Sequence, residues 1–585
     1  MLRLRSLALT LLGCLAAGAV RAAEYDLIIS GGRVVDGTGA PWFRADVGVR
    51  GDRIAAIGNL EKASARRRVD ATGKYVAPGF IDMLGQSELN LLVDNRVESK
   101  IRQGITTEVT GEGGSIAPMS PVWIAEAKPW LDKYHLTVDW KDLDGYWRRL
   151  RKARPAVNLA TYVGAAQVRG VVLGLGEVQP DPSQLSRMQR EVETAMRQGA
   201  VGVSSGLIYP PGSYATTAEL VALAKAAGRH GGLYASHIRG EDDGVMQALE
   251  EAITIGKQAQ VPVEIWHLKV ALRRNWGRMK DVVDRIERAR ADGVDIAADI
   301  YPYVAASNGL AATVPGWAQA GGTDTMLRRF HDPETRARIL REVKTALERE
   351  PPGDILLASC VNPELRKYMG RRLDDVAKEM RKPPEEALLD LVEADRAQGW
   401  VVRFWMSEDD VRLAMKQPWV SFVTDNPGQA TDGPFAADLA HPRAFGGMAR
   451  VLGKYVRDEH VLTLEDAVRK MTSLAARRVR LLDRGIVRPG MAADLVVFDL
   501  ERVLDVATYE KPLQYSEGSW SAWRSRAAGA PTRRRPFHPR GLRWGCPPSR
   551  HSTRWTCRIR TRGSSSRPRS GSGASSRPMR PREPR

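Results

Sequence analysis

The chain has 585 residues, too many for one ordinary core and enough for a large domain with a smaller one beside it. Its net charge of +19 sits almost wholly at one end: residues 518–585 hold 18 Arg, no Lys, no Asp and one Glu, and the rest carries 70 basic and 68 acidic groups. A near-neutral body excludes a nucleic-acid-binding face there, and with Cys360 as its one cysteine it excludes a disulfide framework and a cysteine-based zinc cluster.

In chain order, residues 1–22 read as an export signal. Arg3 and Arg5 precede an apolar stretch from Leu7 to Val20, and Val20-Arg21-Ala22 meets the small-residue rule for cleavage, so the mature chain begins at Ala23 in the periplasm. Leu11-Leu12-Gly13-Cys14 offers a second reading, a lipoprotein anchored through Cys14. The apolar stretch is too short for an ordinary membrane span, and no other segment suits one. Residues 23–77 read as β-rich, with strand-like runs at 25–30, 45–49 and 53–57 split by Gly and Asp turns. The apolar run VAPGFIDML (76–84) then suits a strand buried on both faces.

Through residues 78–475 strand-like and helix-like segments alternate. The strand candidates are 157–164, 201–207, 233–238, 261–268, 294–301 and 419–425. Asp181-Pro182 opens a helix with Leu185, Met188, Val192 and Met196 on one face; Val245, Leu249, Ala252, Ile253 and Gly256 share the face of another. Such repeats build a parallel barrel or a doubly wound sheet. Residues 320–415 read as a helical insertion around the strand ILLASC (355–360). Residues 476–517 return to short strands, at 485–490 and 493–499, and β-rich segments at both ends suggest one small sandwich built from both termini. Residues 518–585 show no apolar period and no Val. They read as a disordered basic tail or, the favoured reading, as the product of a frame shifted near Glu517.

Functional groups of a parallel barrel lie where its strands end. His237 ends LYASHI, His267 ends VEIWHL, Asp425 ends SFVTD, and Glu112 lies just past ITTEVT. One strand-end histidine is more often a packing residue than a ligand; two at the same depth on successive strands point to a metal, since three protein ligands and a water make a catalytic zinc site. Asp425, in Asp-Asn-Pro, also suits a helix cap or turn. There is no phosphate loop and no nucleophile elbow.

The ordered segments YDLIISGGRVVDGTG, VAPGFID, GITTEVTG, GVSSGLIYPPGSYATT, YASHIRGE, HLK with NWG, DIYPY, HPRAFGG and GMAADLVVFD resemble the N-acyl-D-amino-acid deacylases of the amidohydrolase superfamily, over residues 25–517. The resemblance implies an α/β fold, a distorted (β/α)8 TIM-like barrel with a β-sandwich from both termini. It also implies hydrolysis of a small N-acyl-D-amino acid to a carboxylate and a D-amino acid. By motif, His237 and His267 match two zinc ligands and Asp425 the residue acting on the catalytic water. Arg239, Lys269, Tyr209, Tyr301 and Tyr303 fall in segments lining the substrate pocket, and His441 and Arg443 lie in an HPR segment of unassigned role.

Two departures stand out. The family follows PGFID with an H-x-H pair, whereas here the segment reads Met83-Leu84-Gly85-Gln86 and both histidines are absent; the family's ligand Cys aligns with Gly113, next to Glu112. The expected centre is therefore one zinc ion held by His237, His267 and Glu112. Asp425 would serve as base, and Arg239, Lys269 or a tyrosine would hold the substrate carboxylate. The other readings are a superfamily hydrolase of cyclic amides, or a metal-free binding protein of the same fold. The sequence sets no oligomeric state.

Overall fold

The computed structural model describes residues 23–518 and 521–523. The two export readings lie outside the described residues, as does the tail beyond Trp523.

Nine short runs pair in parallel. Phe80–Asp82, Ile105–Thr110 and Asn158–Thr161 form one arc; Val163–Gly164, Gly202–Gly206, Leu233–His237, Val263–Ile265, Ile296–Ile300 and Val420–Phe422 form the other. Asn158–Thr161 and Val163–Gly164 are one stretch of chain interrupted at Tyr162, so the arcs make eight barrel positions, distorted at the third. Between the eighth and first strands no ladder forms. Instead the Asp425 N–H donates to the Leu84 carbonyl (2.9 Å) and the Thr424 N–H to Asp82 Oδ1 (2.9 Å).

A buried ammonium locks that junction. Lys100 Nζ, fully buried, donates to Asp82 Oδ2 (2.7 Å), Thr424 Oγ1 (2.6 Å) and the Asn426 carbonyl (2.8 Å), and lies 3.3 Å from the Gly85 carbonyl and 3.2 Å from Glu108 Oε1. Burial opposes its charge, but Asp82 and Glu108 outweigh that and hold its pKa above the ordinary lysine value.

Helices follow the strands as their patterns require. Pro182–Arg197 starts in a complete capping box, Asp181 with Gln184, and buries Met188 and Val192. Val245–Ala259 buries Val245, Leu249, Ala252, Ile253 and Gly256 against the barrel. No helix among the described residues is long and apolar enough to cross a membrane.

Three expectations about organisation change. The insertion is not only helical: Ala306–Gly309, Ile355–Ser359 and Trp400–Arg403 pair as an antiparallel sheet around a core of its own, with Phe330, Ile339, Val343, Leu373 and Leu388. Residues 485–490 form no strand, and Ala65–Asp70 form one that their charges concealed. The third change is at the C-terminal boundary. Ser521–Trp523 pairs antiparallel with Leu495–Phe498, so ordered strand pairing passes Glu517, where the coherent sequence was expected to stop.

The small domain is one seven-stranded sheet drawn from both ends of the chain. It divides at Tyr25–Val34. The first half of that strand pairs with Ala65–Asp70, and after a bulge between Ile29 and Gly32 the second half pairs with Tyr75–Pro78. The apolar run 76–84 is thereby shared, since Tyr75–Pro78 belongs to this sheet and Phe80–Asp82 to the barrel. Gly79 is the joint: a Cβ there would lie 2.2 Å from Thr106 Oγ1.

Candidate active site

His237 closes the fifth barrel strand and His267 follows the sixth, and their rings meet edge to face with centroids 4.5 Å apart. Glu112 comes to them from the turn after the second strand. Its Oε1 lies 2.8 Å from His237 Nδ1 and 3.1 Å from His267 Nε2. The three donors lie within 4.8 Å of one another.

The turn is built to aim Glu112. Gly111 and Gly113 take φ of +98° and +64°, conformations that glycine adopts without steric cost. A Cβ at Gly113 would stand 2.6 Å from the Gly206 backbone nitrogen. The position that aligns with the family's cysteine therefore has no room for a side chain, and Glu112 is the one that reaches the centre.

The outer nitrogens of both rings face a residue that sequence reasoning missed. Glu241 Oε1 lies 3.1 Å from His267 Nδ1, and Oε2 lies 3.5 Å from His237 Nε2, which has no closer partner among the described residues. Two carboxylates thus bracket the histidine pair, Glu112 inside and Glu241 outside. Glu241 sits four residues after His237, in YASHIRGE, and that spacing was its only signal. Lys269 Nζ donates to Glu241 Oε1 at 2.6 Å and lies 2.7 Å from His267 Nδ1. Burial raises the Glu241 carboxyl, but Lys269 and the two histidines outweigh it and hold the group far below its usual range.

Asp425 follows the eighth strand, buried, at φ +46°. Its Oδ2 pairs with Arg443 Nη1 at 3.0 Å, and its Oδ1 accepts from Gln86 Nε2 at 3.0 Å. Burial raises its pKa, while Arg443 and His267 resist. No helix begins at Asp425, so it does not serve as a helix cap. His441 explains the HPR segment: its Nε2–H donates to the Ala305 carbonyl (2.9 Å), and its Nδ1 accepts the Arg443 N–H (3.0 Å). Burial and the neighbouring Arg443 keep the ring neutral. His441 therefore positions Arg443.

Tyr209 packs edge-on against His237 at 5.2 Å, and Tyr301 lies 6.4 Å from His267 with the Arg443 guanidinium 4.4 Å over its ring. Tyr303 is one layer further out, against His441 and Tyr509. The hydroxyls of Tyr301 and Tyr303 are buried without a hydrogen-bond partner among the described residues. Arg239 is not brought to the centre. Its guanidinium is engaged by Glu251 (2.8 and 2.9 Å) and the carbonyls of Ser213 and Ala215 (2.8 Å each), away from the histidine pair. Sitting two residues past a strand-end ligand did not carry its side chain inward.

The donor set fits a zinc ion. Two imidazole nitrogens and one carboxylate are a known catalytic ligand set, and outer carboxylates that orient ligand histidines are their usual support. The charge balance fits as well. Burial and Lys269 push the His267 imidazole down, yet Glu241, Asp425 and Glu112 overcome them and push it up to about 10. The surrounding carboxylates favour a positive charge at this ring, which faces Glu112 through Nε2.

Residues 67–524 match the amidohydrolase family. The chain is 37% identical over 500 residues to an N-acyl-D-glutamate deacylase of Alcaligenes xylosoxydans xylosoxydans, covering 85% of this chain and 91% of that one. Among solved structures it is similar to the N-acyl-D-glutamate deacylase of Bordetella bronchiseptica, complexed with zinc and a phosphonate inhibitor that mimics the tetrahedral intermediate. That likeness has a TM-score of 0.73 and 35% identity, and covers 86% and 96% of the two chains. A D-aminoacylase, studied for its binuclear metal centre with one-metal activation and second-metal attenuation, matches with a TM-score of 0.70 and 36% identity over 86% and 96%.

Proposed function

The chain belongs to the amidohydrolase family, and from that premise we propose that it is a zinc-dependent hydrolase of non-peptide amide bonds that deacylates N-acyl-D-amino acids. The observation carrying this reading is the convergence of His237, His267 and Glu112 on one point, with Asp425 joined to Glu112 through Gln86.

In this reading His237 Nδ1, His267 Nε2 and Glu112 hold one zinc ion. The chemistry it supplies is Lewis acidity, which polarises an amide carbonyl and makes water nucleophilic near neutral pH. Asp425 accepts the proton of the attacking water and returns it to the amine nitrogen as the C–N bond breaks, leaving a carboxylate and a free D-amino acid. A carboxylate whose pKa is raised by burial is the better base for that work. Arg443 and Gln86, one on each oxygen, fix its direction. Lys269 and the buried hydroxyls of Tyr301 and Tyr303 supply donors for the substrate carboxylate, and Tyr209 closes the His237 side.

The test is an assay of zinc-loaded protein on paired N-acyl-D- and N-acyl-L-amino acids and on cyclic amides. Release of free amino acid from D-substrates alone is expected; turnover of cyclic amides alone would replace this reading. We further propose that residues 1–22 export the chain, from the basic start and the apolar run. Fractionation of cells expressing it is expected to find the protein in the periplasm, or in a membrane fraction if Cys14 is lipidated; protein confined to the cytoplasm would overturn the reading.

A further inference from the structure

Gln86 does work at this centre that neither the ligands nor the base account for. Its side-chain nitrogen donates to Glu112 Oε2 at 2.7 Å and to Asp425 Oδ1 at 3.0 Å. A primary amide has two N–H groups, and both are spent here. The reverse orientation would set the amide oxygen against two carboxylates, so the partners fix the nitrogen's place. The oxygens it takes are those the rest of the centre leaves over. Glu112 Oε1 faces the histidines and Asp425 Oδ2 faces Arg443. A neutral donor thus lies between two carboxylates, where a second cation would have to lie to bridge them.

The backbone holds Gln86 there at a cost. Gln86, His267 and Asp425 all take left-handed conformations, with φ of +59°, +37° and +46°. Strained residues persist where their surroundings over-determine them, and such residues gather at functional sites. The constraints on this loop are visible. The Gly85 N–H donates to the Val109 carbonyl (2.8 Å), the Gly85 carbonyl lies 3.3 Å from Lys100 Nζ, and a Cβ at Gly85 would lie 2.6 Å from Glu108 Oε2.

We propose that Gln86 is a positioning residue that ties the ligand carboxylate Glu112 to the base carboxylate Asp425 and limits the centre to one metal ion. This rests on the zinc reading above. One amide sets the spacing of the two carboxylates, leaves both anionic, and takes the oxygens a second ion would need.

The experiment counts zinc per chain after loading with excess zinc and desalting, and measures kcat and KM separately. The parent is expected to hold one zinc. Gln86→Glu, equal in size, replaces the N–H donors by a third carboxylate and is expected to hold two. Gln86→Met keeps the length without the donors; it is expected to keep one zinc, to lose roughly tenfold or more in kcat and to change KM by less than about twofold, because orientation is lost and binding is not. Two zinc ions at the centre of the parent, a single one in Gln86→Glu, or parental kcat in Gln86→Met each overturn the proposal. A parent that takes up no zinc defeats the zinc reading together with this one, whereas a one-zinc parent beside a fully active Gln86→Met defeats this one alone.

Discussion

A different carboxylate faces each side of the two histidines at the centre, Glu112 closely on both rings and Glu241 closely on His267 and at 3.5 Å from His237. In the proposed centre Glu112 would be a zinc ligand and Glu241 would only orient the rings, so their removal separates two effects. His237→Ala, His267→Ala and Glu112→Gln are expected to lose zinc and activity together. Glu241→Gln keeps the ligands and is expected to weaken zinc affinity by roughly 10–100-fold, as losses of outer partners do. Zinc retained at parental affinity in Glu112→Gln would remove it from the ligand set. Affinity is also expected to depend on pH. Metal at His267 Nε2 must displace a proton from a ring whose metal-free pKa is pushed up to about 10. Below that value affinity should rise by about tenfold per pH unit, as chelator competition between pH 6 and 9 would measure. A flat profile would contradict protonation at that atom. His237, His267 and Asp425 were legible because strand ends are visible in sequence, and Glu112 because it neighbours the missing cysteine. Glu241 and the role of Gln86 were not, since loop residues show no period and Gln86 was visible only as a lost histidine. Arg239 misled because adjacency to a ligand says nothing of side-chain direction once the strand has ended.

The elements set these residues by closing the barrel between strands that do not pair. Lys100 replaces the missing ladder between the first and eighth strands, tying Asp82 and Gly85 on one side to Thr424 and Asn426 on the other. Burial, more than its neighbours, pushes the Glu108 carboxyl up to about 7, so the cluster has little charge to spare. Lys100→Met would leave Asp82 and Glu108 buried without a cation. We expect a loss of about 3–5 kcal/mol in denaturant unfolding, typical of breaking one partner out of a buried ion pair, and displacement of Gln86 and Asp425 that abolishes turnover. Unchanged stability would show the junction to be held by backbone alone. The turn after the second strand makes a sharper case. Gly113→Cys restores the residue expected from the family, yet a Cβ there meets Gly206 backbone at 2.6 Å. It should lower the melting temperature and weaken zinc binding rather than strengthen it. The barrel strands were readable because short runs with apolar residues recur between helical patterns. Of the insertion's sheet only the strand at Ile355–Ser359 was read; Ala306–Gly309 and Trp400–Arg403 were not, because they are only four residues long and lie among strong helical patterns.

At the scale of the whole molecule, the small sheet draws on segments from both ends of the described residues, and Ser521–Trp523 is its last described strand. Leu495–Phe498 pairs on one side with Tyr75–Pro78 and on the other with Ser521–Trp523. The family match also ends at residue 524. A frame shifted at Glu517 would make residues 521–523 noise, and their register with Leu495, Val496 and Val497 argues that coherent sequence continues past that point. Three residues are too few to show a period beside an arginine-rich stretch, so the sequence alone does not separate a boundary near Glu517 from one near residue 524. The two boundaries predict different proteins. A chain ending at 524 keeps every described strand and should match the full chain in melting temperature, zinc content and activity. A chain ending at 517 exposes the N–H and C=O groups along one edge of Leu495–Phe498, a buried, wholly apolar strand suited to pair with another chain. It should aggregate at a lower temperature and elute partly as oligomers, while the barrel, whose strands lie elsewhere, still binds zinc. If both truncations behave alike, the Ser521–Trp523 pairing contributes nothing and the earlier boundary stands. Resequencing the gene across codons 517–530 then decides whether the arginine-rich residues follow from an intact frame or from one that shifts after residue 524.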